Sequence, residues 1–226
     1  MNLAAILALG FFLGIRHATD ADHVLAVSAM VSRERNIRAA APIGALWGLG
    51  HTTTVFVVGT AVILFGVIIP PRVGLSLEMA VAVMLVVLGG TNLVRLARQP
   101  GAELYPHVHP HAAAPPTRSL RPLFVGMVHG LAGSAAAAIL VLGAVRDPLF
   151  GVLYLAVFGV GTVAGMLAIT TALAVSLAAA GLRFARFRRL LDGLTGMGSV
   201  AFGASLAYDV GVLQGLFTGH VRWVPH

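Results

Sequence analysis

RHATDADH, Arg16 to His23, sets an arginine, two histidines and two aspartates inside a stretch that is otherwise apolar from Leu3 to Val31. Ionisable groups are expensive in hydrocarbon, so within a membrane helix they face a cavity or a partner and carry function. Histidine and carboxylate together are also the usual ligands of a borderline divalent metal ion. Leu3–Ile15 is too short to span a bilayer alone, so unless that segment is re-entrant the motif is expected inside the same helix rather than at its solvated end.

The rest of the chain agrees with a membrane setting. Of 226 residues, 58% are hydrophobic and only 10% charged, and the mean hydropathy is +0.92. A soluble domain of that composition would have too few polar residues to cover its surface. Fifteen basic residues, all arginine, stand against eight acids for a formal charge of +7. In a soluble protein this excess would suggest nucleic acid. Here the arginines lie between apolar runs and read as topology signals, so no nucleic-acid partner is expected. The absence of cysteine excludes disulfides and thiolate ligands. Met1–Leu13 has no basic n-region and runs straight into the charged motif, so no secretory signal is expected.

Six apolar runs follow in order: Leu3–Val31, Ala39–Ile69, Leu75–Ala97, Pro122–Val145, Leu149–Gly181 and Leu190–Phe217. They predict an all-α, polytopic integral membrane protein, with Pro42 in the first turn of the second helix. Arg33–Arg38, Arg95–Arg121 and Gly181–Arg189 hold three, four and four arginines, whereas Arg72, Arg146 and Arg222 stand alone. That alternation predicts six spans with both termini outside and the basic loops in the cytoplasm. The organisation expected is a single transmembrane domain over residues 1–226. It divides into a three-helix half over 1–97, a His/Pro-rich cytoplasmic loop over 98–120 and a second half over 121–217.

The halves echo one another. GIRHATDA around His17 matches GMVHGLAG around His129, GLGHT around His51 matches GVGTV at Gly159, and VLGGTNL at Gly89 matches AFGASLA at Gly203. The offset is about 111 to 114 residues throughout. Three helices per half would make this a 3+3 inverted repeat, as in many secondary transporters. Small residues that recur simply to permit close helix packing give the same pattern, so the sequence leaves both readings open.

On a regular helix His17, Asp20 and His23 share one face with Arg16, which lies one turn before Asp20 and could neutralise it. Asp22 points elsewhere, unless the helix unwinds near Ala21 or the carboxylate serves a neighbouring helix. His51, in WGLGHTTTVF, and His129, in GMVHGLAGS, add an imidazole from each of two further spans. Gly48 and Gly50 flank the first, with Thr52 and Thr53 able to satisfy a ligand histidine or line a polar path, and Ser134 follows the second. The candidate metal ligands are therefore His17, Asp20, Asp22, His23, His51 and His129, with Asn92 and Asp209 as weaker polar candidates. His107–His111, set among prolines, is a separate imidazole cluster in a connector that could gather metal loosely.

RHATDADHV, Arg16 to Val24, followed by LGHTTTV, Leu49 to Val55, resembles the signature motifs of the nickel/cobalt permease (NiCoT) family, in the same order on successive helices. VHGLAGSAAAA, where longer members carry aspartate- and threonine-rich motifs, resembles the short urease-accessory-like branch. The resemblance implies a permease for Ni²⁺ or Co²⁺ with His17, Asp22 and His23 central, Asp20 beside them and His51 supporting. Longer members carry a helix before the signature, and its absence here agrees with the outside N-terminus.

The function expected is secondary transport of divalent nickel or cobalt across a bacterial cytoplasmic (inner) membrane, in the uptake direction. The metal is substrate, and no permanently bound cofactor is expected. Partners beyond the cation and the lipid bilayer would be a second copy of the chain or a metal-delivery protein. Efflux through the same fold is the alternative, and a membrane electron-transfer protein with histidine-ligated haem is a more distant one. No ATP-binding loop and no HExxH pair occur, so neither an ATPase nor a metalloprotease is expected.

Overall fold

The first apolar run is two helices rather than one. In the computed structural model α1 (Leu3–His17) and α2 (Ala21–Val31) meet at 55° across residues 18–20. The break has a local cause. The Thr19 hydroxyl donates to Arg16 O at 2.6 Å, and the Thr19 and Asp20 amides bond to Arg16 and His17 carbonyls in tight three-residue steps. Val24 N–H then donates to Asp20 O at 3.0 Å, starting a new helix. A threonine side chain competes with helical bonding in this way, and here the Thr19 hydroxyl satisfies a carbonyl that the end of α1 leaves free.

Five further helices follow: α3 (Ile37–Phe65), α4 (Pro71–Arg98), α5 (Arg121–Ala144), α6 (Pro148–Arg183) and α7 (Ala185–Tyr208), the last continued by a π-helix at Asp209–Leu213. The structure describes residues 3–31, 37–98, 120–144, 147–183, 185–218 and 220–223; for 3, 37–39, 135–144, 177–183 and 185–188 only the backbone is described. The His107–His111 connector and most of the basic loops lie outside the described residues. Among those described there is no strand. Pro42 lies inside α3 rather than in its first turn, because the helix begins at Ile37.

Four described helical segments are long and apolar enough to cross a membrane: Ala40–Phe65, Pro71–Arg98, Pro148–Ser176 and Arg189–Leu213. The bent α1–α2 pair makes a fifth if it is one span. Phe12, Val57, Val83 and Val160 are exposed on these helices. An apolar outer surface of that extent suits lipid, where hydrocarbon and side chain are equivalent neighbours.

Close backbone approach organises the packing. A Cβ on Gly14 of α1 would collide with Phe158 O on α6 and lie 2.9 Å from Thr162 N; one on Gly126 of α5 would collide with Trp47 O on α3 and lie 3.0 Å from His51 N. Gly161 would collide with Phe11 O, and Gly50 with Leu123 O. Gly48 packs on Val163 and Gly159 on Thr52; Gly89 packs on Gly196 and Ser199, and Gly203 on Ala82 and Leu85. Each contact has a counterpart with both partners displaced by about 111 to 114 residues. The series Gly44–Thr170, Gly48–Val163, Thr52–Gly159 and Gly59–Leu155 runs α3 antiparallel to α6. In a membrane such small-residue seams hold helices by van der Waals contact, since burial from water contributes nothing between them.

Candidate metal centre

Four histidines from four helices meet at the α1–α2 break. His17 ends α1, His23 lies in the first turn of α2, His51 is midway along α3 and His129 is on α5. Ring centroids of His23 stand 4.5 Å from His17, 5.0 Å from His51 and 4.4 Å from His129. His23, His51 and His129 are buried, and His51 is wholly so. The glycine seams bring them together: Gly126 and Gly130 let α5 ride directly on the backbone of α3 at Trp47 and His51.

The carboxylates stand behind the rings. Asp20 Oδ2 accepts from His17 Nδ1 at 2.8 Å, and Asp22 Oδ1 accepts from His23 Nδ1 at 2.9 Å. Asp22 Oδ2 accepts from His129 Nε2 at 2.7 Å, so one carboxylate ties two helices. A carboxylate on Nδ1–H fixes the neutral tautomer that turns the Nε2 lone pair outward, the usual way a ligand histidine is aimed. His17 Nε2 then faces His51 Nε2 at 3.3 Å. Two nitrogens bound to one ion at about 2.1 Å stand about 3.0–3.4 Å apart for right-angle to tetrahedral geometry.

Single donor atoms from His17, His23 and His51 all lie within 4.8 Å of one another, as do those of Asp22, His23 and His129. His23 belongs to both sets, and its Nε2 is buried without a hydrogen-bond partner in the structure. Both sets open on one cavity of about 360 Å³. Such a neutral-nitrogen, carboxylate-backed pocket can strip water from a dication without a thiolate.

All six residues singled out from sequence are therefore in one place, but with different parts. Asp22 points at α5, one of the two readings the sequence left open, and the helix breaks at 18–20, just before Ala21. Arg16 is exposed, and the partner of Asp20 is His17 instead. Thr52 does not support a ligand histidine: its hydroxyl donates to Gly159 O on α6 at 3.2 Å, while Thr53 is exposed. Ser134 bonds to Leu131 O of its own helix. Asn92 reaches Asp192 O between α4 and α7, and Asp209 accepts from Gln214, so neither is in the cluster.

Two further residues stand beside the cluster that sequence reasoning does not single out. The Trp47 ring lies 5.5 Å from His23 and 5.8 Å from His129, and Glu78 lines the cavity from α4. Glu78 did carry a signal, as the one acid in the third apolar run. Trp47 carried none, because a tryptophan beside glycines reads as ordinary packing.

Comparison with known proteins gives an independent answer. The family model for high-affinity nickel-transport protein (NicO) matches residues 3–100, a range that holds His17, Asp20, Asp22, His23, His51 and Glu78. The chain is 36% identical to the urease accessory protein UreH of Bacillus sp. (strain TB-90) over 226 residues, covering 98% of this chain and 99% of that one. No solved structure matches it. Nickel is a transported substrate in this setting, and the family is one of transporters rather than enzymes. With a broken, histidine-bearing first helix among membrane-length helices, the chain belongs to the high-affinity nickel-transport family, on its urease-accessory-like branch.

Proposed function

We propose that the chain is a secondary permease that takes up Ni²⁺, with Co²⁺ as an alternative substrate, across the cytoplasmic membrane. The observation that carries this reading is the convergence of His17, His23 and His51 with carboxylates behind two of them, on a cavity in a membrane bundle. A hydrated cation entering the cavity exchanges water for Nε2 of these three histidines. Asp20 and Asp22 hold the rings in register and balance the charge, and His129 with Asp22 offers an adjoining position through the shared His23. Binding displaces any proton held between His17 and His51 and needs neutral rings, so it releases protons.

Six spans in a 3+3 inverted repeat, with both termini outside, are the architecture we assign. The reciprocal glycine contacts support it. They exchange α1 with α5, α3 with α6 and α4 with α7, and α3 and α6 run antiparallel, which requires an axis lying in the membrane plane. Rocking of one half against the other would alternate access to the cavity. The membrane potential favours uptake, since two charges crossing about 100 mV gain roughly 4–5 kcal/mol. Haem ligation is disfavoured, because ring nitrogens 3.3 Å apart leave no room for a macrocycle between them.

Purified protein in liposomes with an inside-negative potential tests the reading. Nickel accumulation by the wild type and its loss in His17→Ala are expected. Normal binding and movement of nickel by His17→Ala would defeat the assignment. Direction is read in cells: deleting an importer starves a nickel enzyme, whereas deleting an exporter raises sensitivity to the metal.

A further inference from the structure

The cavity is lined by one more carboxylate besides Asp20 and Asp22. Glu78 is on α4, about 10 Å along the helix from Pro71. It is 7% exposed and lines the same cavity as His17, His23, His51 and His129. Val81, Phe202 and Leu206 form apolar wall alongside it. A carboxylate at such depth normally faces a cavity or a partner. Glu78 does both: its Oε1 accepts from Trp223 Nε1–H at 2.7 Å.

Trp223 comes from the tail beyond the π-helix, and that tail is fastened in place. The Gln214 side-chain amide donates to Asp209 Oδ2 at 2.6 Å, and Arg222 N–H donates to Gln214 O at 2.8 Å, folding the chain back. Gly215, at φ +83, makes the turn that other residues resist. The indole fills the notch over Gly74, where any Cβ would strike the ring. Gly74 and Glu78 are one turn apart on the same face of α4, so the tail seats itself directly on the helix that carries the acid.

We propose that Glu78 is a second cation contact of this cavity, which holds the dication on its way to or from the histidines, with Trp223 fixing the carboxylate from the tail side. The inference rests on the permease reading above. A charged wall group concentrates counter-ions in a low-dielectric cleft, whereas the histidines supply the dehydrated site.

Two variants separate charge from hydrogen bond. Glu78→Gln keeps an oxygen for the indole N–H but removes the charge, and Trp223→Phe keeps the charge but removes the donor. In proteoliposomes with Ni²⁺ added outside, Glu78→Gln is expected to slow initial uptake at subsaturating Ni²⁺ by about tenfold, with partial rescue in Glu78→Asp. Equilibrium Ni²⁺ binding at the histidines should stay within about twofold of wild type, well below the effect of losing a histidine-orienting group. Uptake by folded Glu78→Gln within that same margin overturns the proposal. Should Glu78→Gln not fold, Trp223→Phe carries the test: the loosened carboxylate shifts the apparent KM about threefold, and an unchanged KM and rate overturn it. A wild type that moves no nickel defeats the permease reading itself, whereas normal transport by Glu78→Gln defeats only this one.

Discussion

α1–α2 and α5 pack alike and differ in chemistry. At matched positions, Gly14 and Gly126 each press on the backbone of a partner helix, and His17 corresponds to His129. Beyond that point the two part. Where the first half has Thr19, Asp20 and Asp22, the second has Leu131, Ala132 and Ser134, and α5 continues unbroken where α1 ends. His51 likewise corresponds to Thr162, whose hydroxyl merely bonds to Phe158 O of its own helix. The packing surface is thus duplicated while the donor set is not. The second half contributes space, as at Gly133, where a Cβ would stand 4.0 Å from His17 Nε2, and one imidazole.

The sharpest way to break the contrast is to remove donors from the loaded half. His17→Ala or His51→Ala should weaken Ni²⁺ binding by at least about 100-fold in titration calorimetry, exceeding the effect of losing a group that only orients a ligand. Asp22→Asn should cost about 10- to 100-fold, because the carboxylate aligns His23 and His129 at once. Asp20→Asn should cost less, since Asp20 is 53% exposed and orients His17 alone. If Asp20→Asn proves the more damaging, Asp20 rather than Asp22 is the principal support.

Protons compete with the cation for the same lone pairs. Nickel binding is therefore expected to weaken once the pH is low enough to put protons on the ligating rings. A nickel affinity that stays constant down to the pH at which the protein unfolds would argue against imidazole ligation altogether.

The duplicated packing has its own tests. Gly126→Leu forces a side chain into the backbone of α3 at Trp47 and His51, and should lower stability by about 1–3 kcal/mol or more in thermal unfolding in detergent. Gly14→Leu at the matching contact should do the same within error, and a large difference between the two would undo the equivalence of the halves. Gly90, with nothing within 4 Å of a built Cβ, is the control: Gly90→Ala should gain about 0.5–1 kcal/mol from helix propensity.

Much of this was legible in the chain. The apolar runs mark the helices, because membrane length and hydropathy are local properties, and the 58% hydrophobic composition leaves little alternative. The ligand candidates were legible for the same reason, since ionisable side chains in an apolar run stand out one by one. The common offset of the glycine motifs also survives in the packing register. What was misread was direction. Spacing alone lets Arg16 neutralise Asp20 on an unbroken helix and lets the Thr52 hydroxyl satisfy a histidine, and the structure shows neither. Both assignments depend on which way a side chain turns at a break or a seam, and spacing along the chain does not carry that information.

Taken alone, the sequence determined that this is a membrane protein with histidines and aspartates set within apolar sequence, where desolvating a charge is costly. Tertiary structure decided which atoms face one another. Asp22 meeting His129, His17 Nε2 meeting His51 Nε2, and Glu78 sharing their cavity all depend on the register of helices distant in the chain. That register is set by the glycine seams, where backbones touch, and only the assembled bundle fixes it.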